Sequence, residues 1–506
     1  MSLTPLERYL SGRLPCTHDR CNPFWEVATM KTNRKYGWIV ALPLFFLILP
    51  MQAKDLPFRG SGTPDDPYQI ATAVDLIAIG QDPNLLAKHF VLVADIDLDP
   101  SLPRGRVFEN ALIAQDQDPN PNAARGQGFH GVLDGQGHVI KNLCMSVSPG
   151  LNAGLFGLLG PNAVVMDLHL SNAKISGSPA GTIAGHTSGG LILRCTVNGQ
   201  VSGPNDIGGL VGSQSDGLIV ECDADVRVTG DEQVGGLCGI LWAGQVTGCS
   251  VKATVTGKNE VGGAIGSVIH DGHLSDTIID ATVVGTERVG GLTGSCSGSI
   301  QRCLVEGLVT GQTQVAGLVG WLRGLDPSPG LIVSSTSHCK VIGHQQVGGL
   351  VGQAGWGVVP TAALIMDSYA KGSIVGNVAG GLIGQTGPIT LLNCYAACQM
   401  APATSEDGLA SIGGLFGKVE TSRSPVPSTW STMPLVTACF WDAQLSGLEN
   451  STGGSGPEFG QGLSTKQMKR YLTFAAAGWD MTDTWAVWGD YPYLQWETPK
   501  RSSGGR

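Results

Sequence analysis

Along the middle of the chain, small and apolar residues recur on a fixed grid. The tetrad Gly-Leu-apolar-Gly stands at Gly154, Gly209, Gly236, Gly317, Gly349, Gly381 and Gly414, with looser copies at Gly181, Gly263 and Gly291. Successive copies are 27, 28, 27, 27, 28, 26, 32, 32 and 33 residues apart. A period of this length is the signature of a stacked solenoid. A second pattern ends at a closing glycine such as Gly203, Gly230, Gly257 or Gly285. Two residues before it the side chain is apolar (Val201, Val228, Val255, Val283); four before, it is mostly small; eight before, it is Cys, Ser or Thr. Polar residues such as Arg227, Thr254 and Lys340 fill the gaps. Period-two alternation predicts a strand with one buried face.

One short strand per unit cannot bury a core, but stacked units can, with like positions about 4.8 Å apart in parallel register. The expected fold is therefore all-β: a right-handed parallel β-helix of about ten coils, roughly 40 Å long at that spacing, with N- and C-terminal caps. Glycines at the corners are expected to supply positive φ. A β-propeller needs repeats of about 40–50 residues, and glycine every few residues disfavours helical repeats. Within the N-terminal cap and entry coil, residues 54–150, a short helix is expected near Ala71–Gly80. The β-helix itself occupies 151–447. A Gly/Ser-rich linker and a Trp-rich cap follow at 448–498, the cap being expected to cover the open strand edge, and a disordered tail at 499–506 ends the chain.

Composition narrows the partners. The formal net charge is -10, which excludes the basic face that a nucleic-acid binder requires. Lys31, Arg34 and Lys35 precede the apolar run GWIVALPLFFLILP at 37–50, which is too short for a bilayer span and predicts a signal peptide over 1–53, with Met30 as an alternative start. The expected location is extracellular or cell-surface, with membrane contact only if that segment is uncleaved. Removing it leaves eleven of the 13 cysteines. Because Ser and Thr alternate with Cys in one slot, small size is the expected shared requirement, and mostly free thiols are predicted.

The flanks GSGTPDDPYQI, HFVLVADIDL, LDGQGHVIKNL, CFWDAQLSG and AGWDMTDTW, with the tetrads, resemble the GLUG-motif proteins, extracellular bacterial β-helix proteins, over about residues 58–496. GLUG repeats also flank some immunoglobulin-cleaving metallopeptidases that resemble zincins, but the H-E-x-x-H of those enzymes does not occur here. The resemblance implies a surface or secreted role and no particular reaction.

Candidate ligand residues follow from where coils lengthen. Insertions at 321–330, 354–363 and 418–434 share a corner with Trp242, which would align Trp242, Trp321, Trp356 and Trp430, with Arg323 and Asp326 beside them. Aromatic platforms on the inserted face suit a glycan or protein ligand. Asp95, Asp97 and Asp99 alternate on one strand and are weak candidates for calcium; no other cofactor is expected. His270 and His273 read as turn chemistry. Three functions stay open: a non-catalytic adhesion or binding module, which is favoured because no catalytic motif is found; a polysaccharide lyase or glycoside hydrolase; and a structural envelope spacer.

Overall fold

A computed structural model describes residues 58–103, 105–116, 126–324, 329–355, 363–403, 410–420 and 433–498. The predicted signal peptide and the tail lie outside these residues. The coils build three parallel sheets, of 8, 19 and 14 strands among the described residues. In one regular coil, Asn205–Gly208 joins the short-strand sheet, Val211–Val220 the motif sheet and Asp223–Thr229 the alternating sheet.

The pairing follows the repeat. In the motif sheet Phe156, Ala184, Val211, Cys238, Ile265, Thr293, Val319, Val351, Ile383 and Phe416 stand over one another, one per coil. In the alternating sheet Val201, Val228, Val255, Val283, Val309, Val341, Ile374 and Met400 form a second column. The chain is thus a parallel β-helix. The motif leucines Leu155, Leu210, Leu237, Leu292, Leu318, Leu350, Leu382 and Leu415 are all fully buried, each worth about 1.5–3 kcal/mol over exposure to water. The stack begins before the first tetrad, because Tyr68–Ile70, His89–Leu92 and Val132–Asp134 already pair in parallel. The N-terminal helix spans Ala73–Ile79, with Thr72 and Asp75 forming a capping box.

Glycines such as Gly190, Gly217 and Gly244 do supply positive φ at the bend of the motif sheet, but the tetrad glycines do a different job. The left-handed corner between the motif and alternating sheets is occupied by Asp167, Arg194, Glu221, Gly248, Asp276, Arg302, Ser334, Asp367, Asn393 and Ala438, with φ between +48° and +68°. Only one of these ten is glycine. The first tetrad glycine is needed for closeness instead. A Cβ on Gly209, Gly236 or Gly263 would lie 2.1 Å from the carbonyl oxygen of the equivalent glycine one coil on. Real Cβ atoms do not approach a backbone oxygen that closely, so the coil spacing itself excludes a side chain there.

The Cys/Ser/Thr slot also has a sharper rule than size. In the nine coils from Cys195 onward the hydroxyl or thiol donates to the carbonyl two residues earlier: Cys195 to Leu193, Cys222 to Val220, Cys249 to Thr247, Thr277 to Ser275, Cys303 to Gln301, Ser335 to Val333, Ser368 to Met366, Cys394 to Leu392 and Cys439 to Thr437. The slot selects a small side chain that carries a donor. All eleven cysteines among the described residues are free, and burial pushes the Cys249 and Cys303 thiols up to about 12, so they are poor nucleophiles.

The Trp-rich segment does not simply close the end. Gln461–Leu463 adds an edge strand to Phe440–Asp442, but the residues after it lie against the outer wall of the alternating sheet. Tyr369, Tyr395 and Phe440 hold one outward column there and are nonetheless buried, in a cluster with Phe474, Trp479, Trp485 and Leu494. Tyr369 and Tyr395 stack at 4.7 Å with their planes 6° apart. Three indole N–H groups donate to left-handed corner residues: Trp479 to the Ala438 carbonyl (3.0 Å), Trp485 to Asp367 Oδ1 (3.2 Å) and Trp496 to the Ser334 carbonyl (2.9 Å). The segment is a clasp over several coils.

Candidate functional site

The bend in the motif sheet positions the first candidate. Leu241 pairs with Val268, and a bulge separates it from Ala243. Trp242 sits in that bulge and cannot follow the alternation inward, so 42% of its surface is exposed. The His270 ring lies 6.4 Å away, 23° from parallel. His270 and His273 belong to the strand Ile265–Ser275 rather than to a turn, with a left-handed kink at His270 (φ +48°) that turns its ring outward. His273 Nδ1 is hydrogen-bonded to the Ser299 hydroxyl of the next coil.

The alignment expected for the tryptophans is corrected here. Trp321 shares a column with Ile240, Ser267, Ser295 and Gln353, two residues before the bend. Arg323, which follows Leu322 as Trp242 follows Leu241, takes the bend position in that coil. Trp321 is no open platform either. The Arg288 and Arg323 guanidinium carbons lie 4.7 and 4.6 Å from its ring centroid, and its indole N–H is buried with no partner among the described residues. Arg288 is in turn held by Glu260 (3.1 Å) and Glu287 (3.2 Å). Asp326, Trp356 and Trp430 lie outside the described residues.

This caged indole belongs to a polar ladder along the join of the short-strand and motif sheets. The second residue of each of the first six short strands is left-handed: Asp206, Gln233, Glu260, Arg288, Gln314 and Gln346. Their side chains bridge coils, Gln233 to Glu260, Gln314 to Gln353 and Gln346 to Gln385. Burial, aided by the charges of Glu232 and Glu260, pushes the Asp206 carboxyl up to about 6.

A third surface escaped the sequence reading although its signal is regular. Five residues before each closing glycine, the alternating sheet turns outward Asn198, Asp225, Lys252, Asp280, Glu306, His338 and Lys371. Over the regular coils this face is open, and Asp225, Lys252, Asp280, Thr254 and Thr282 line a shallow depression of about 190 Å³.

The calcium candidates do not converge. Asp95 accepts from Val139 N (3.0 Å) and lies 3.2 Å from His138 Nδ1. Asp97 accepts from Asn142 (2.8 Å) and from Asp99 N, and Asp99 caps Ser101 N. Each carboxylate is committed to its own turn or neighbouring coil, so alternation along the strand does not translate into a shared ligand shell. Among the described residues no three His, Cys, Asp or Glu side chains gather to hold a metal.

The model of the GLUG motif matches residues 230–256, the regular coil that carries Trp242. Halomucin of Haloquadratum walsbyi is 37% identical over 157 residues, 30% of this chain and 2% of that protein. A protein of Evansella cellulosilytica described as a Gly-rich membrane protein is 34% identical over 137 residues, 26% of this chain and 14% of that one. The chain thus spans only a small part of these curated relatives. A crystal structure described as an immunoglobulin A1 protease from Bacteroides ovatus is similar over 86% of this chain and 94% of that one, at 17% identity and a TM-score of 0.31. This chain carries the GLUG motif, and its coils repeat that pattern along a parallel β-helix.

Proposed function

We propose that this protein is a secreted or cell-surface binding module that takes an extracellular glycan or protein ligand at the bend beside Trp242. Three things support the surface role: the leader-like segment at 37–50, the GLUG motif, and a relative described as a membrane protein. One observation carries the binding role, the exposed Trp242 ring with His270 stacked beside it. Such a flat aromatic surface beside polar groups suits a sugar ring. Replacing Trp242 and His270 by Ala is expected to abolish binding on a glycan array while leaving the circular dichroism unchanged; binding that survives the double substitution would rule the site out.

A second reading, polysaccharide cleavage, draws on the depression where Asp225 and Asp280 flank Lys252. Paired carboxylates are the usual agents of glycoside hydrolysis. Release of reducing ends or unsaturated products from a soluble polysaccharide panel, lost in Asp280→Asn, would favour it over the binding module.

A further inference from the structure

The clasp is joined to the coils by a chain of four titratable groups. Glu306 Oε1 lies 3.5 Å from His338 Nδ1. His338 Nε2 lies 3.0 Å from the Tyr369 hydroxyl. That hydroxyl lies 3.0 and 2.8 Å from the two Glu497 oxygens. Glu306, His338 and Tyr369 belong to three successive coils, whereas Glu497 belongs to the clasp.

Counting protons shows what this chain requires. With both carboxylates ionised and the imidazole neutral, the four groups hold one N–H and one O–H between them. Two donors cannot make three hydrogen bonds. If Tyr369 donates to Glu497, then His338 Nε2–H donates to Tyr369, and the bare Nδ1 lone pair faces the Glu306 carboxylate. One added proton removes the conflict. A protonated Glu497 donates to the Tyr369 oxygen, Tyr369 donates to His338 Nε2, and His338 Nδ1–H donates to Glu306. Protonating His338 instead satisfies the same three contacts.

The surroundings favour uptake at Glu497 rather than at His338, whose imidazole is pushed down by burial and by Lys371 against the pull of Glu306. Four carboxylates, Glu306, Glu497, Asp442 and Asp490, face two ammonium groups, Lys371 and Lys469. Lys371 Nζ lies 4.9 Å from the Tyr369 ring centroid and 5.7 Å from that of Tyr491. Lys469 pairs with Asp490 at 2.8 Å, and the Tyr491 hydroxyl donates to Asp442 at 2.6 Å. Burial raises the Glu497 carboxyl above its ordinary range, against the pull of the Leu494 N–H, Tyr369 and Lys371.

We propose that the C-terminal segment is a proton-loaded clasp: the chain Glu306–His338–Tyr369–Glu497 holds one proton taken from solvent, and its loss as pH rises loosens the segment from the wall of the alternating sheet. Loosening uncovers the Tyr369–Tyr395–Phe440 strip, which continues the open face of the regular coils. This device is independent of the Trp242 site.

Hydrogen exchange on the full chain tests it, read at the Trp485 and Gln495 amides and corrected for intrinsic rates. These amides donate within the clasp, to the Asp480 and Thr484 carbonyls. Their protection is expected to fall about fivefold to tenfold between roughly pH 4 and pH 7, the window of a carboxyl raised above its ordinary value, and the size of a coupling approaching one pKa unit. In Glu497→Gln the carboxamide supplies the missing donor, so protection stays high and flat across that range. In Tyr369→Phe both central contacts are gone, so protection is low and flat, while amides in coils 196–310 report that the stack itself is intact. A wild-type profile with no slope, or a Glu497→Gln profile that keeps the wild-type slope, would overturn the proposal.

Discussion

The regular coils between Gly181 and Gly311 and the later coils between Ser335 and Gly447 share one inner architecture and differ on the outer wall. The same inward columns run through both. In the regular coils the first outward column of the alternating sheet reads Thr196, Asp223, Ser250, Ile278 and Leu304, with no aromatic residue, and its neighbour carries Asp225, Lys252 and Asp280. In the later coils the first column becomes Tyr369, Tyr395 and Phe440, and a non-repeating segment has folded onto it. The lesson is that stacking fixes the inside of a coil but leaves the outside free. The outward column turns aromatic where another part of the chain covers it, whereas Ile278 in the same column of the regular coils stands half exposed.

The largest effect should come from the covered wall. Trp485 is fully buried, so Trp485→Ala is expected to cost about 3–5 kcal/mol. Because each coil contacts mainly its neighbours, exchange protection should fall in the clasp and coils 335–447 and stay unchanged in coils 196–310. Equal loss in both regions would show that they unfold as one unit and end the distinction.

Next comes the backbone that both regions share. Gly236→Ala places a Cβ 2.1 Å from the Gly263 carbonyl oxygen and is expected to cost about 2–3 kcal/mol by overpacking. Gly248→Asn, at the left-handed corner where other coils carry Asp, Asn or Arg, should change stability by less than about 0.5 kcal/mol. Urea midpoints measure both. If the two substitutions cost the same, glycine is serving φ rather than coil spacing.

The smallest effect is electrostatic and confined to the regular coils. Asp206 is raised to about 6 in the folded chain from an ordinary 3.8. A raised carboxyl favours folding while it is protonated, and that stability is lost as pH climbs from about 4 through 6. Asp206→Asn should therefore raise stability at pH 7 by about 1–3 kcal/mol and make no difference near pH 4. Thermal unfolding at the two pH values gives the answer.

The sequence alone determined the architecture, because the same residue types had to lie above one another in every coil. A motif leucine every 27 or so residues and a valine two before each closing glycine leave few other ways to bury a core. The outward columns were equally legible in principle, as the fixed offset of Asp225, Lys252 and Asp280 shows. Only the tertiary structure decided the rest. Whether an aromatic stands free (Trp242), is caged by guanidiniums (Trp321) or is roofed by the chain's own end (Tyr369, Tyr395) depends on neighbours from other coils and from the C-terminal segment. Their distance in sequence, such as the 128 positions between Tyr369 and Glu497, is invisible to any local pattern. The tetrad glycines make the same point at the backbone: their number was plain, but their reason, a carbonyl one coil away, exists only once the coils are stacked.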